Sequence, residues 1–312
     1  MLDAGSSAGV VAVVFHPDGK HLLGGSNTEM QRWRFEDGQE VGKQARMDVY
    51  AISVSSDHKW ILCGTERGAS VWDAEMQEKV VDVEGGKTVM AVDVSPDSTT
   101  FATGTGLSHN EASVWNLTTG KRLVGPLKHD SHITTVRFSP DGACIATACW
   151  EGSEIRVFDS CNGHKLKTIN TRMPSIRPCT PLAWSNDSQQ IFAVSYENKI
   201  KLFDVSTGSQ LAESQTLDGG DGDSIALAAN GKFVAAFADS VISLLDTSTL
   251  ILIDPVIRDS REIYSISLSP DSGYLATGDE DGKITICDLG GILPDVYGPF
   301  HVSIYPFTMR AY

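Results

Sequence analysis

Three short patterns in this chain contain residue types that can perform chemistry. Gly5-Ser-Ser-Ala-Gly9 matches the Gly-x-Ser-x-Gly pattern that positions the nucleophile of serine hydrolases. That nucleophile needs a strand before it and a helix after it, and the flanking residues indicate neither element. His129 and His132 stand three residues apart in a predicted loop, but no further ligand type accompanies them at metal-site spacing. We expect structural or solvent-exposed roles for these histidines.

The third pattern is the acidic, glycine-rich run at 218–223. Several oxygens on a flexible turn suit a hard cation such as Ca²⁺, but the run lacks the length and the terminal Glu of an EF-hand loop. Acidic, glycine-rich turns are common, so we expect an ordinary turn here, with a calcium site as the alternative. The chain also lacks a Walker loop, a strand-linked Gly-x-Gly-x-x-Gly and a His-Glu-x-x-His motif. The sequence therefore predicts no catalytic residue, no metal and no cofactor.

Composition narrows the class of protein further. The 312 residues include 40 Asp and Glu against 25 Lys and Arg, a formal net charge of −15. Such a chain repels phosphate backbones, so nucleic acid is not the expected partner. No apolar run approaches the roughly 18 residues that suggest a membrane span. Six cysteines without a Cys-x-x-Cys pair, and an N-terminus without a signal-peptide pattern, favour reduced thiols in the cytoplasm, with the nucleus as the alternative.

An internal repeat organises the whole chain. The phrase Phe-His-Pro-Asp-Gly at 15–19 returns as Phe-Ser-Pro-Asp-Gly at 138–142, and degenerate versions occur in five further places. The aligned turn residues are Asp18, Asp57, Asp97, Asp141, Asp187, Asn230 and Asp271. Successive members are 39, 40, 44, 46, 43 and 41 residues apart. Seven units of similar length therefore fill the chain.

Each unit predicts four short strands. Alternating apolar residues precede the Pro-Asp turn, as at Ile133, Val136 and Phe138, and a second apolar strand follows it. A polar loop, a third strand and a weaker fourth strand complete the unit. Alternation with a period of two, interrupted by turns about every 8–12 residues, indicates an all-β protein.

The third strands end in pairs that resemble Trp-Asp, namely Trp72-Asp73, Trp115-Asn116, Phe158-Asp159, Phe203-Asp204, Leu245-Asp246 and Cys287-Asp288, with Trp33 in the first unit. This pattern resembles the WD40-repeat family over essentially the whole chain. The resemblance implies a seven-bladed β-propeller of four-stranded antiparallel blades around a central channel. We expect one monomeric domain over 1–312, with repeats at approximately 10–46, 47–86, 87–130, 131–175, 176–220, 221–260 and 261–312.

The resemblance also implies details of blade structure and ring closure. The family tends to bury a hydrogen-bonded His, Ser or Thr, Asp and Trp in each blade, and His129 with Thr147 in unit four approaches that set. Few residues precede the first inner strand, whereas Leu289 to Tyr312 follow the last third strand. We expect the C-terminal side to supply the outer strand of the last blade. The abrupt N-terminus also suggests a domain cut from a longer protein.

In the family, loops at one end of the channel bind partners, and the second residue of each inner strand opens onto that end. These ring positions are Val11, Tyr50, Met90, Thr134, Thr180, Asp223 and Tyr264. The candidate partner-binding residues, which combine an apolar sector, nearby acids and one loop tryptophan, are Tyr50, Met90, Tyr264, Asp223, Asp239, Asp281 and Trp150. Such a surface suits a peptide with apolar and basic residues. The alternative is that the ring residues only fill the channel and the acids only maintain solubility.

We therefore expect a non-catalytic protein–protein interaction scaffold that presents its loops and channel mouth to protein or peptide partners. Two loops longer than their counterparts, at 104–111 and 170–181, are further candidates for specificity. One alternative is a ligand-sensing or regulatory propeller domain of a larger multidomain protein. The other is an enzyme with a site at the channel mouth, which the ring disfavours because it holds one Asp and no His or Arg.

Overall fold

The structure, a computed structural model, describes residues 9–106, 109–150, 152, 154–171, 181–219, 222–298 and 308–310, with backbone alone at 222, 223, 254, 255 and 308–310. Seven antiparallel sheets follow one another along the chain and close into a ring. The fold is a seven-bladed β-propeller, which confirms the predicted fold class. The described residues contain one helical segment, the 3-10 turn Asp295–Tyr297.

In each blade the first strand lines the channel and the later strands lie successively further out. Blade one contains β1 (Val10–Phe15), β2 (His21–Ser26) and β3 (Met30–Arg34). Blade two contains β4 (Ala51–Val54), β5 (Trp60–Thr65), β6 (Gly68–Asp73) and β7 (Lys79–Val83). Blade three contains β8 (Val89–Val94), β9 (Thr100–Thr105), β10 (Glu111–Asn116) and β11 (Arg122–Lys128). Blade four contains β12 (Ile133–Phe138), β13 (Cys144–Cys149), β14 (Glu154–Asp159) and β15 (Lys165–Asn170).

The remaining three blades have the same strand order. Blade five contains β16 (Leu182–Trp184), β17 (Gln190–Ser195), β18 (Lys199–Asp204) and β19 (Gln210–Glu213). Blade six contains β20 (Gly222–Leu227), β21 (Phe233–Ala238), β22 (Val241–Asp246) and β23 (Leu252–Arg258). Blade seven contains β24 (Ile263–Leu268), β25 (Tyr274–Asp279), β26 (Lys283–Asp288) and β27 (Thr308–Arg310).

The repeated Pro-Asp phrase forms the turn between the first and second strands, and we call the end of the ring that carries these turns the turn end. In blade four, the Ser139 hydroxyl donates to Asp141 Oδ1 at 2.5 Å and accepts from the Cys144 N–H at 2.9 Å. The same serine-aspartate pair forms four other turns, in blades two, three, five and seven. The short polar side chain satisfies turn N–H groups, so this phrase reverses the chain at a fixed place in each repeat.

Neighbouring blades approach closely at glycines in their second strands. A Cβ added to Gly278 would lie 2.6 Å from Cγ1 of Val10, the first residue of the next inner strand around the ring. Gly25, Gly64 and Gly104 meet the corresponding residues of the following blades in the same way. We call these four fully buried residues the knob residues: Val10, Val49, Val89 and Ile133. The missing glycine side chain provides the space that each knob occupies.

Ring closure follows the prediction in blade seven. Strand β27 pairs with β26, with Thr308 opposite Thr285, so the outer strand comes from the C-terminal side. Blade one differs from the expected four strands. Its sheet has three, and two isolated bridges join 40 and 45 to β3 where a fourth strand was expected. Gly42 between them has a φ of 82°, which interrupts an extended pairing.

The buried polar pair predicted in blade four is present. His129 Nε2 lies 2.8 Å from the Thr147 hydroxyl, and its Nδ1 lies 3.0 Å from the Leu127 carbonyl oxygen. The Phe158 ring packs edge-on against the imidazole at the position where the family has Trp. Burial lowers the pKa of His129 to about 4, so this histidine is neutral at pH 7. It joins the end of β11 in blade three to β13 in blade four.

We expect Gly278→Ala to reduce the free energy of unfolding by about 1–3 kcal/mol, because the new Cβ would overlap Val10 at the blade junction. The matched control is Gly291→Ala, where no atom lies within 4 Å of the added Cβ, and the expected change is within about 0.5 kcal/mol. Urea unfolding of both variants measures the difference. Equal effects would contradict the close-packing account.

We expect the free energy of unfolding to fall by about 2 kcal/mol from pH 7 to pH 5 through His129 alone. The sign follows because the unfolded histidine, with a pKa near 6.5, takes up a proton that the folded one, with a pKa of about 4, does not. Urea unfolding at both pH values should show a smaller decrease for His129→Gln than for the original protein. An unchanged pH dependence in the variant would refute this assignment.

Candidate functional site

The inner strands of all seven blades surround a central cavity of about 440 Å³. The end where these strands begin, opposite the turn end, is here called the mouth end. Five ring residues, with side chains in the described part of the structure, line the cavity: Val11, Tyr50, Met90, Thr134 and Tyr264. Thr180 and the side chain of Asp223 lie outside the described residues. Sequence reasoning therefore placed these five residues correctly along the channel.

A β-bulge explains how the ring side chains reach the channel mouth. The pairing of the first and second strands shifts register at Val11, Met90, Thr134, Asp223 and Tyr264. A bulged residue is left out of the ladder, and its side chain can turn away from the sheet face. Val10, Val89 and Ile133 directly precede bulged positions, and Val49 directly precedes Tyr50. Packing between blades therefore fixes the backbone from which each of these ring residues projects.

The apolar sector is narrower than the sequence predicted. Tyr264, Val11 and Tyr50 belong to the adjacent blades seven, one and two, and each is half-buried. The Tyr264 ring packs over Gly9, where an added Cβ would lie 2.6 Å from Cε2. Met90 lines the channel but is only 8% exposed and packs against Gly106. It supports the sector from below and offers a partner little surface.

Trp150 is held against the neighbouring loop of blade four. The Trp150 backbone N–H donates to the His132 carbonyl oxygen at 2.7 Å. The Trp150 and His132 rings meet edge-on, with centroids 6.0 Å apart. The Trp150 side chain is half-buried, so it is neither fully exposed nor fully covered. His132 thus packs on Trp150 while His129 is buried inside the blade. Although only three residues separate them, these histidines face different partners and form no common metal site.

The acidic residues near the mouth divide into paired and unpaired groups. Asp281 Oδ2 accepts from Arg261 Nε at 2.6 Å, and Asp218 pairs with Arg258 at 2.8 Å. Asp239 is exposed, and no ion-pair partner for it occurs among the described side chains. The sequence predicted a group of nearby acids but not which of them form ion pairs. Arg258 and Arg261 neutralise part of that set because β23 and the following loop bring them to the mouth end.

The surroundings of Tyr50 are also acidic. Burial raises the pKa of its hydroxyl, and the carboxylates of Glu66 and Asp48 raise it further. Tyr196 is another aromatic residue of the mouth end, on the loop between β17 and β18, and is 51% exposed. The sequence alone did not point to Tyr196. Its position between a second and a third strand was the available indication, because loops of that kind lie at the mouth end.

At the turn end, the structure brings together a group that the sequence analysis did not single out. His16, Asp18 and His21 each offer a metal-ligating atom, and these atoms all lie within 4.8 Å of one another. The His-x-Asp-x-x-His spacing around the first Pro-Asp turn was the available indication. The sequence alone directed attention to His129 and His132, which the structure does not bring together, and not to this turn. The parts of the predicted long loops at 107–108 and 172–180, and residues 220 and 221 of the acidic run, lie outside the described residues.

Two further observations concern the environment of the chain. In the part that the structure describes, no helix is long and apolar enough to span a bilayer. The five cysteines described, Cys63, Cys144, Cys149, Cys161 and Cys287, are free thiols. Burial raises the pKa of the Cys149 thiol to about 12, so this group is unreactive.

Comparison with known families supports the reading of the repeats. The WD domain, G-beta repeat, matches residues 41–73 and 256–288, and the anaphase-promoting complex subunit 4 WD40 domain matches 105–187. Both short matches end with a third strand, at Asp73 and Asp288. Together with the seven-bladed ring, these matches show that the chain belongs to the WD40-repeat family. Propellers of this family generally bind proteins or peptides.

Three curated proteins illustrate the range of similar chains. Apoptotic protease-activating factor 1 of Danio rerio is 22% identical over 250 residues, 79% of this chain and 19% of that protein. Small ribosomal subunit protein RACK1 of Drosophila melanogaster is 29% identical over 160 residues, 48% of each chain. Autophagy-related protein 16 of Arabidopsis thaliana is 22% identical over 236 residues, 72% of this chain and 44% of that protein. The matched region spans less than half the length of each relative.

Proposed function

We propose that this propeller is a non-catalytic interaction scaffold whose mouth end binds a protein segment with apolar and basic residues. The observation that carries the proposal is that Tyr264, Val11 and Tyr50 of three adjacent blades line one channel, Tyr264 and Val11 at β-bulges and Tyr50 directly before β4. Half-buried tyrosines offer rigid contact area and a hydroxyl that can accept or donate a hydrogen bond. Such residues supply much of the binding energy at protein interfaces.

Charge supports a basic partner. The carboxylates of Asp48 and Glu66 act on Tyr50, and Asp239 adds an exposed negative charge at blade six. The chain as a whole has a formal net charge of −15. Electrostatic attraction of this kind mainly accelerates association and favours partners of positive charge, whereas the buried aromatic contacts supply affinity. The free thiols among the described cysteines support a reducing compartment such as the cytoplasm or the nucleus.

The descriptions of similar proteins agree with a role in assemblies. One relative is described as a small ribosomal subunit protein, and one family match is to a domain of an anaphase-promoting complex subunit. A regulatory propeller within a longer protein is the second candidate, because the matched region is 19% to 48% of the three relatives. The two candidates share the same binding end and differ in whether a covalently attached domain responds to occupancy.

The test is selection of peptides from a random display library by the purified chain. We expect selected peptides to combine Lys or Arg with apolar residues, because the tyrosines lie beside carboxylates. Tyr50→Ala or Tyr264→Ala should then weaken binding of a selected peptide by about 1–3 kcal/mol, measured by calorimetry. Val296→Ala at the turn end, where the side chain is 65% exposed, is the control and should leave affinity unchanged. Loss of affinity in the control alone would place the site at the other end.

A rim charge should act on rate more than on affinity. We expect Asp239→Asn to slow association with a basic peptide a few-fold at low salt, because it removes part of the attractive field. The difference between the two proteins should shrink at physiological ionic strength, where the Debye length is about 8 Å. Stopped-flow measurement at two salt concentrations gives both rates. An Asp239→Asn effect confined to dissociation would contradict the steering role.

A further inference from the structure

The histidine and aspartate group of the first turn lies at the turn end, away from the proposed binding mouth. His16 Nδ1 lies 3.1 Å from Asp18 Oδ1, and His21 Nδ1 lies 2.7 Å from Asp18 Oδ2. One carboxylate therefore stands between two imidazole nitrogens. Imidazole nitrogen and carboxylate oxygen are the ligands that Zn²⁺ takes besides thiolate, at about 2.0–2.2 Å from the ion.

The other blades show that this turn does not require histidine. Five of the seven turns place a serine where blade one has His16, and the serine hydroxyl alone satisfies the turn. Among those turns, the residue that aligns with His21 is Trp60, Thr100, Cys144, Gln190 or Tyr274. Blade one alone has histidine at both positions. The fold explains Asp18 but leaves the two histidines without a structural necessity.

His16 has a second feature that a simple hydrogen-bonded turn does not account for. The residue is 4% exposed, and its Nε2 is buried without a hydrogen-bond partner among the described residues. Its Nδ1 accepts a long, 3.2 Å hydrogen bond from the Asp18 N–H, so that nitrogen is unprotonated, and an ion bound there replaces this hydrogen bond. The His58 ring, from the turn of blade two, packs against the His16 ring in an edge-to-face arrangement, with ring centroids 5.6 Å apart.

We propose that His16, Asp18 and His21 form a Zn²⁺ site at the first turn of the propeller. The ion binds between His21 Nδ1 and Asp18 Oδ2, and the single proton of the neutral His21 imidazole, which lies on Nδ1 in the ion-free hydrogen bond, transfers to Nε2 through solvent. Three protein ligands leave one position of a tetrahedral ion for water. The ion ties β1 to β2 in blade one, whose sheet has three strands rather than four. Occupancy therefore stabilises the folded ring.

The test uses the whole chain after treatment with a chelator and removal of that chelator. Zn²⁺ is titrated by calorimetry against a competing chelator, and Co²⁺ is titrated by absorption. We expect one ion per chain, a Co²⁺ spectrum of tetrahedral intensity without a thiolate charge-transfer band, and a higher thermal midpoint with Zn²⁺ present. His16→Ser should weaken Zn²⁺ binding by at least the order of 100-fold, because it removes a ligand and the loss of a residue that only supports a ligand already costs up to about 100-fold.

His16→Ser separates loss of the metal site from loss of the fold. Serine forms the same turn in five other blades, so the ring should still fold. His21→Gln should weaken Zn²⁺ similarly, and His164→Gln, at an exposed histidine of blade four, should leave it unchanged. A thiolate band, no stoichiometric binding, or equal loss in His164→Gln would each overturn the site. Tyr50→Ala should not alter Zn²⁺ binding, so the mouth proposal and this one succeed or fail separately.

Discussion

The close approach between neighbouring blades is the constraint on which the rest of the structure depends. At four junctions a glycine of the second strand faces the knob residue of the next inner strand, and an added Cβ would come within 2.5–2.7 Å of that residue. The junction between Gly278 and Val10 closes the ring. All four knob residues are fully buried, so burial of apolar surface holds each blade against the next. A propeller blade has no other way to cover its faces.

The same contact determines the channel mouth. Because the knob residue is fixed, the bulge that follows it has a fixed position, and the ring side chain projects into the opening. Hydrogen bonds between inner strands reinforce this arrangement. Ser265 accepts from the Val13 N–H at 2.9 Å, and Asp93 accepts from the Phe138 N–H at 2.8 Å. The proposed binding surface therefore has a rigid floor, with variation confined to loops.

The two ends of the ring have different chemistry. The mouth end has half-buried tyrosines with carboxylates nearby, which suits recognition of a peptide. The turn end repeats one hydrogen-bonded motif in five blades and departs from it in blade one, where His16 replaces the serine. Departures from a repeated motif are informative because the other copies show what the fold needs. His129, in the connection between β11 and β12, differs from His16 because it is a buried structural group that hydrogen-bonds Thr147.

The sequence by itself determined the all-β class, the seven units and the C-terminal outer strand, because strand alternation and Pro-Asp turns are local patterns repeated about every 42 residues. It also placed Val11, Tyr50, Met90, Thr134 and Tyr264 along the channel, since each occupies the same position at the start of the inner strand of its unit. Only the tertiary structure decided the burial of Met90, the pairing of Asp281 with Arg261 and the meeting of Trp150 with His132. It likewise brought His58 of blade two over His16 of blade one. These contacts depend on how loops and neighbouring blades pack, and no local pattern specifies the direction of a side chain across such a junction.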